Sequence, residues 1–160
     1  MADILYLMGF FNTPEIGRIS YKPDNLHITV LQSFNLGNRG LSDFIEEAEQ
    51  LIKKHTPIEV SPKEQKMYGD EFNIPVLVVE EKTGTLTELH NSLTSLVKKY
   101  NGGFNQPVYS GEFYSPHITY ATKETEIPTI SNLSLIEHIN GFGVDVFNIK
   151  NFELGAKNGQ

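Results

Sequence analysis

A five-residue pattern occurs twice in the chain, once in each half. Leu26-His27-Ile28-Thr29-Val30 returns as Pro116-His117-Ile118-Thr119-Tyr120, and the two histidines are 90 residues apart. In both copies polar and bulky apolar residues alternate, which is typical of a β-strand with one buried face. A chain with one such strand in each half is expected to fold from two similar units.

Each half also carries one amphipathic helix. Apolar residues recur every three or four positions from Leu41 to Ile52 and again from Leu86 to Tyr100, as on the buried face of a helix. Thr85 and Glu88 have the spacing of a capping box at the start of the second helix. Asn101-Gly102-Gly103 is typical of the left-handed turn that ends a helix.

The rest of the chain is rich in strand patterns. They predict strands at about 3–11, 25–32, 57–67, 74–82, 115–121 and 144–155, with a weaker candidate at 133–140. Several strands and one helix in each half indicate an α+β fold with two lobes.

The length of the chain favours one domain. With 160 residues, of which 39% are hydrophobic, it falls in the range of a single core. We expect that domain to span residues 1–155 and the last residues, 156–160, to be frayed. Because the chain has no cysteine, disulfides, thiolate zinc sites and a cysteine nucleophile are excluded.

The charge and the N-terminal sequence restrict the partners. A formal net charge of −7 argues against binding to long duplex nucleic acid, which requires a clustered cationic surface. The apolar stretch from Ile4 to Phe11 is too short to cross a membrane and lacks a basic leader. We therefore expect a cytoplasmic protein, of a bacterial or virus-infected cell, with no membrane partner. The sequence makes no prediction about the oligomeric state.

The two repeats carry the candidate chemistry. Alternation places His27 with Thr29 on one face of a strand, and His117 with Thr119 on one face of another. If the two faces meet, one imidazole can act as a base on the attacking oxygen and the other as an acid on the leaving oxygen. The threonine hydroxyls can donate to the non-bridging phosphate oxygens. This set predicts phosphodiester chemistry at these four residues, with no metal and no cofactor.

The same residues resemble a known family. The two His-x-Thr motifs, with the lead-ins Pro23 to Val30 and Tyr114 to Thr119, are similar to the 2H phosphoesterase superfamily and its 2′-5′ RNA ligase-like branch. The resemblance runs from Ile4 to about Leu154. It implies a bilobal, pseudo-two-fold α+β fold, with two antiparallel sheets around a central cleft and helices outside. The residues that follow the motifs, Leu31 to Phe34 and Tyr120 to Lys123, depart from the family pattern, and the departure bears on the substrate.

The resemblance implies cleavage of a cyclic or 2′-5′ phosphodiester without a metal. The leading hypothesis is therefore a phosphodiesterase acting on a nucleotide or RNA end, either a 2′,3′-cyclic phosphate or a 2′-5′ linkage. One alternative is degradation of cyclic oligonucleotide second messengers, as in viral anti-defence. The other is a non-catalytic module that binds RNA ends.

Substrate-binding candidates lie near the motif strands. Aromatic rings offer surfaces for a base, and the substrate-binding candidates are Tyr6, Phe34, Phe113, Tyr114 and Lys123. Lys22 and Lys66, like Lys123, offer charge for a phosphate, although all three are also typical of solvated lysines. Alternation leaves open whether Tyr6 lines the cleft or the core. His90 fits the helical spacing of a satisfied residue at the edge of the core, and His55 fits a helix C-terminus.

Overall fold

The computed structural model describes residues 4–20, 25–37, 40–68, 71, 73–104, 114–138 and 145–155. Phe113, Lys22 and the tail expected at 156–160 lie outside these residues. The described elements are β1 (Ile4–Phe10), β2 (Gly17–Ser20), β3 (His27–Asn35), α1 (Leu41–Ile52), β4 (Val60–Tyr68), β5 (Ile74–Glu81), α2 (Thr85–Lys99), β6 (Gly103–Phe104), β7 (His117–Thr119), β8 (Asn132–His138) and β9 (Asp145–Glu153).

The strands form two antiparallel sheets. The larger has six strands in the order β2-β9-β8-β1-β3-β6, and the smaller has three in the order β4-β5-β7. The first His-x-Thr motif is in β3 of the larger sheet, and the second is in β7 of the smaller sheet. The predicted α+β fold with two antiparallel sheets is confirmed, although the sheets are unequal in size.

The predicted strands and helices match the observed ones closely. The weak candidate at 133–140 is the fully paired strand β8. Two strands were not predicted: β2, which has four residues, and β6, which has two. Segments this short contain too few residues to show the alternation of a strand. They are extended because they pair with β9 and β3, respectively.

One core joins both sheets and both helices. It contains apolar residues from β1, β3, β5, β7, α1 and α2, among them Leu7, Ile28, Leu77, Ile118, Phe44 and Leu93. Ile28 and Ile118, the central residues of the two motifs, are 1% and 0% exposed. Because side chains alternate along a strand, anchoring these isoleucines in the core turns the histidine and threonine of each motif to the opposite face.

The start of α2 differs from the predicted capping box. Gly84 is the N-cap, with φ +80°, and Thr85 is already the first helical residue. The Thr85 hydroxyl bonds to the hydroxyls of Thr56 and Thr83. The carboxylate of Glu81 caps the helix instead, because it accepts hydrogen bonds from the backbone N–H and the hydroxyl of Thr87.

The described part of the chain contains two helices, α1 and α2. Neither α1 nor α2 is long and apolar enough to cross a membrane.

Candidate active site

The larger sheet forms one wall of the site. In the pairing of β1 with β3, Phe10 lies opposite His27 and Met8 lies opposite Thr29, so these four side chains share a face. The rings of Phe10 and His27 are 5.2 Å apart between centroids. Met8 and Phe10 are buried in a second apolar cluster with Ile136. The first motif therefore stands beside an apolar surface that lies on the side of the sheet away from the main core.

The two imidazoles are held in the same way. Nδ1 of His27 lies 2.9 Å from the carbonyl oxygen of Asn25, and Nδ1 of His117 lies 3.0 Å from that of Ser115. A carbonyl oxygen only accepts hydrogen bonds, so each Nδ1 carries the proton. In the neutral ring Nε2 is then the basic nitrogen, and it is the atom that can accept or deliver a proton in each motif.

The two motifs are close enough to interact electrostatically. Burial lowers the pKa of His27 below its ordinary value of 6.5, and the positive charge of His117 lowers it further, while the hydrogen bond to Asn25 acts in the opposite direction. The lowered pKa keeps His27 neutral, and therefore basic, at neutral pH.

A buried pair of rings supports the first motif from behind. The ring of Tyr114 stacks on that of His90, with centroids 3.9 Å apart and an interplanar angle of 8°. The Tyr114 hydroxyl donates to the carbonyl of Thr29, and Nδ1 of His90 donates to the carbonyl of Val30, both at 2.7 Å.

These two bonds fall where the strand pairing is irregular. The register between β1 and β3 shifts between Met8, which pairs with Thr29, and Leu7, which pairs with Leu31. A bulge leaves backbone groups outside the regular ladder. The buried ring pair supplies donors to two consecutive carbonyls at this point, and so it fixes the backbone of the first motif.

The sequence of the chain matches a known protein family over most of its length. The model of the 2′-5′ RNA ligase superfamily matches residues 14–154. The chain belongs to this superfamily. Its membership confirms the resemblance to the 2H phosphoesterases and indicates a phosphoesterase-type enzyme. None of the curated proteins compared with this superfamily member is similar enough in sequence to count as a match.

Solved structures share the fold of this superfamily member. TT0787 of Thermus thermophilus is 17% identical with a TM-score of 0.58, and the match covers 96% of this chain and 100% of TT0787. Escherichia coli LigT in its apo form is 17% identical with a TM-score of 0.55, over 97% of this chain and 99% of LigT. LigT complexed with 3′-AMP is 19% identical with a TM-score of 0.54, over 98% of this chain and 100% of LigT.

Two of the aromatic candidates, Phe34 and Tyr114, pack against other parts of the chain. Phe34 is 0% exposed and packs against Phe44 and Phe104 in the core, so the expectation that it binds substrate is wrong. It has the same parity as Ile28 in the strand, which already indicates the packed face. Tyr114 has its hydroxyl bound to the chain and one ring face covered by His90, so it supports β3, and its contact with a substrate stays a prediction.

Tyr6 lies on the same face as the first motif. Strand β1 alternates, so Tyr6 points with Met8, which is paired with Thr29. Tyr6 is half-buried, its hydroxyl bonds to Ser33, and its ring centroid is 4.8 Å from that of His138. Of the two alternatives left by the sequence, the structure therefore favours the cleft wall.

The end of the second motif is fixed by Gln65, which the sequence did not single out. Its side-chain amide donates to the carbonyls of Val76 and Ala121, and its carbonyl oxygen accepts from the backbone N–H of Lys123. Tyr120 follows β7 and has a positive φ of 69°, in the left-handed region that non-glycine residues seldom adopt. The side chain of Lys123 is exposed just beyond this turn.

His90 and His55 make hydrogen bonds that stabilise the fold. His90 is 1% exposed, so it is satisfied as predicted but lies within the core and not at its edge. His55 donates from Nδ1 to the carbonyl of Leu51 at the end of α1 and lies 3.7 Å from Glu88. Among the residues that the structure describes, no three of His, Asp and Glu are grouped so that they can hold a metal ion.

Proposed function

We propose that the protein is a metal-independent phosphodiesterase that cleaves a nucleotide or RNA-end phosphodiester. The proposed substrates are a 2′,3′-cyclic phosphate, opened by water, and a 2′-5′ linkage, attacked by the neighbouring hydroxyl. His27 is the proposed base, His117 the proposed acid, and Thr29 and Thr119 the proposed donors to the phosphate.

The observation that carries this proposal is the matched presentation of the two imidazoles. Each Nδ1 donates to the carbonyl two residues before it, and the charge of one ring lowers the pKa of the other. Proton transfer in both directions at one phosphorus requires two such groups with their second nitrogen available. A module that only binds a nucleotide does not require two titratable groups held in this way.

In the reaction of a cyclic phosphate, Nε2 of His27 takes a proton from water as the new P–O bond forms. The bond from phosphorus to the 2′ or 3′ oxygen breaks, and Nε2–H of protonated His117 gives that oxygen its proton. The hydroxyls of Thr29 and Thr119 donate to the non-bridging oxygens, where negative charge is held through the transition state. The two histidines end with their protonation states exchanged, and solvent restores them.

A 2′-5′ linkage reacts by the same roles. His27 takes the proton of the neighbouring 3′ hydroxyl, which attacks phosphorus and forms a 2′,3′-cyclic phosphate. The bond to the 5′ oxygen breaks, and His117 protonates that oxygen. Structures of LigT complexed with 3′-AMP and with ATP support a small nucleotide ligand in this fold. Because acid, base and phosphate donors are all side chains, the proposed reaction needs no metal-activated water.

One panel of substrates tests the proposal. The purified protein is incubated in chelator with 2′,3′-cyclic mononucleotides, 2′-5′ oligoadenylate, and cyclic di- and trinucleotides, and products are identified by mass. We expect turnover of the cyclic phosphate or the 2′-5′ linkage, and a rate lower by about 10²–10⁴ in His27→Ala. Turnover confined to cyclic oligonucleotides would assign the protein to degradation of second messengers. Binding without any turnover would leave a non-catalytic module for RNA ends, and activity only with an added divalent cation would contradict the mechanism.

A further inference from the structure

The face that carries the second motif extends across the whole smaller sheet. Thr119 pairs with Val76, which pairs with Lys66 on the other side. Residues directly opposite each other in antiparallel strands point to the same face. Lys66, on the edge strand β4, therefore points to the same side of the sheet as the hydroxyl of Thr119.

The separation suits a neighbouring phosphate. Lys66 and Thr119 are two strand spacings apart, roughly 10 Å between their Cα atoms. The flexible stem of a lysine brings its ammonium group back over part of that distance. A phosphate one nucleotide away from the one held by Thr119 lies within reach of Lys66.

The charge distribution makes Lys66 distinctive. In the described strands, Lys63 occupies the irregular position between Pro62 and Glu64, and Lys150 bonds to Glu49 of α1. Arg18 pairs with Phe147, whereas the neighbouring pair, Ile19 with Val146, belongs to the second apolar cluster. Arg18 therefore points to the opposite face of the larger sheet from that cluster. With Lys63 set aside, Lys66 is the one lysine or arginine in the described strands whose register places it on the same face as a His-x-Thr motif.

The charge of Lys66 is available to a ligand. Its Nζ lies 3.9 Å from a carboxylate oxygen of Glu64, and the two side chains are 43% and 56% exposed. Ion pairs between such exposed groups contribute little free energy, so a phosphate can displace the carboxylate at small cost. In a chain of net charge −7, a local cation is what allows a second phosphate to be bound.

An aromatic ring follows on the same face. Tyr68 is two residues beyond Lys66, so it points to the same side of β4, and it is 46% exposed. An exposed ring beside a cation provides a stacking surface for a base together with a contact for its phosphate.

We propose that Lys66 and Tyr68 form a subsite for a second nucleotide, in which Lys66 binds the phosphate next to the reacting one and Tyr68 stacks on a base. This inference rests on the proposed function and specifies its substrate class. The substrate is an oligonucleotide with at least two phosphates, and a lone mononucleotide fills only part of the site.

Binding of two product analogues tests the subsite without requiring turnover. Calorimetry compares 3′-AMP with the adenylyl dinucleotide that ends in a 3′-phosphate, in about 0.1 M salt. The wild-type protein is expected to bind the dinucleotide about tenfold more tightly. Lys66→Met and Tyr68→Leu are each expected to remove most of that preference and to leave the affinity for 3′-AMP unchanged. Lys98→Met, which removes an exposed charge from α2, is expected to preserve the preference.

The outcomes separate the subsite from the catalytic proposal. Equal affinity of the wild-type protein for the two analogues, or an undiminished preference in Lys66→Met, would overturn the subsite even if the enzyme is active. If no substrate is turned over but the preference is present and depends on Lys66 and Tyr68, the subsite stands and the proposed catalysis fails.

Discussion

The hydroxyl of Tyr114 donates a hydrogen bond of 2.7 Å to the carbonyl of Thr29. Tyr114 stands three residues before His117, and Thr29 stands two residues after His27. The bond therefore joins the lead-in of one motif to the backbone of the other. Burial raises the pKa of Tyr114 above its ordinary value, so its hydroxyl is neutral and remains a donor at neutral pH.

We expect Tyr114→Phe to lower kcat by roughly 10- to 100-fold while KM changes little. The variant keeps the ring but frees the backbone of Thr29, and a small displacement of a group that acts in the transition state has effects of this size. The free energy of unfolding should fall by about 1–2 kcal/mol, because a buried carbonyl loses its donor. Steady-state kinetics and urea denaturation measure the two effects.

Tyr100→Phe is the matched control for that variant. The hydroxyl of Tyr100 also makes a hydrogen bond, to Glu47, but on the helical side of the molecule. Its removal should leave kcat unchanged. If Tyr114→Phe loses stability but keeps the wild-type kcat, Tyr114 is structural only and does not position Thr29.

The sequence predicts those features of the site that depend on neighbouring residues in the chain, and it does not predict those that depend on contacts between distant segments. Alternation about the buried Ile28 and Ile118 determines which face of the strand the histidine and threonine of each motif occupy. This alternation can be read from the sequence. The partners of a strand are not visible. Nothing near Lys66 in sequence indicates that it lies opposite Val76, or that Val76 lies opposite Thr119.

The supporting contacts of the site are equally non-local. His90 is 60 positions from Val30 and Tyr114 is 85 positions from Thr29, so their bonds arise only when α2 and the lead-in to β7 pack against β3. The helical spacing of His90 predicts that it is satisfied, but it does not identify the carbonyl that satisfies it. Gln65 escapes prediction for the same reason, since its three bonds reach β5 and the turn after β7.

The electrostatic link between the two histidines can be tested without substrate. His117→Asn should raise the pKa of His27, because the variant removes a positive charge that lowers it. NMR titration of the histidine ring signals measures this pKa. His55→Asn, at the end of α1, is the control and should leave it unchanged. An unchanged His27 pKa in His117→Asn would mean that the imidazoles are too far apart to serve one phosphorus.

Removal of either imidazole should nearly abolish turnover. We expect His27→Ala and His117→Ala each to lower kcat by about 10²–10⁴, with folding checked by circular dichroism, since neither ring belongs to the main core. Thr29→Val and Thr119→Val should cost roughly 10–10³ each, because each removes one donor to the phosphate. A folded histidine variant with wild-type activity would exclude the two-histidine mechanism.

A plot of kcat/KM against pH should be bell-shaped, with its acidic limb below pH 6.5. A base must be neutral to act, and the pKa of His27 is held below 6.5, so kcat/KM should remain high until the pH falls below that value. The alkaline limb should report loss of the proton from the acid, with both limbs belonging to the coupled pair. An acidic limb above pH 6.5 would argue against His27 as the base.

Acid should destabilise the fold partly through His90. Burial lowers the pKa of His90 below 6.5, although its bond to Val30 acts in the opposite direction. Below pH 6.5 the unfolded chain therefore binds a proton that the folded protein does not, so stability falls as the pH falls. His90→Asn keeps a donor near the position of Nδ1 but cannot titrate, and it loses the stack on Tyr114, so it should be less stable than the wild type at pH 8.

Urea denaturation at pH 8, 6.5 and 5 measures the free energy of unfolding of the wild type and of His90→Asn. The difference between the two proteins should become smaller as the pH falls. His27 also has a lowered pKa, but it is present in both proteins, so its contribution cancels in the difference between them. The narrowing therefore reports the protonation of His90 alone. A gap that stays constant from pH 8 to pH 5 would mean that His90 binds its proton equally well in the folded and unfolded protein, which its burial beneath Tyr114 and β3 should prevent.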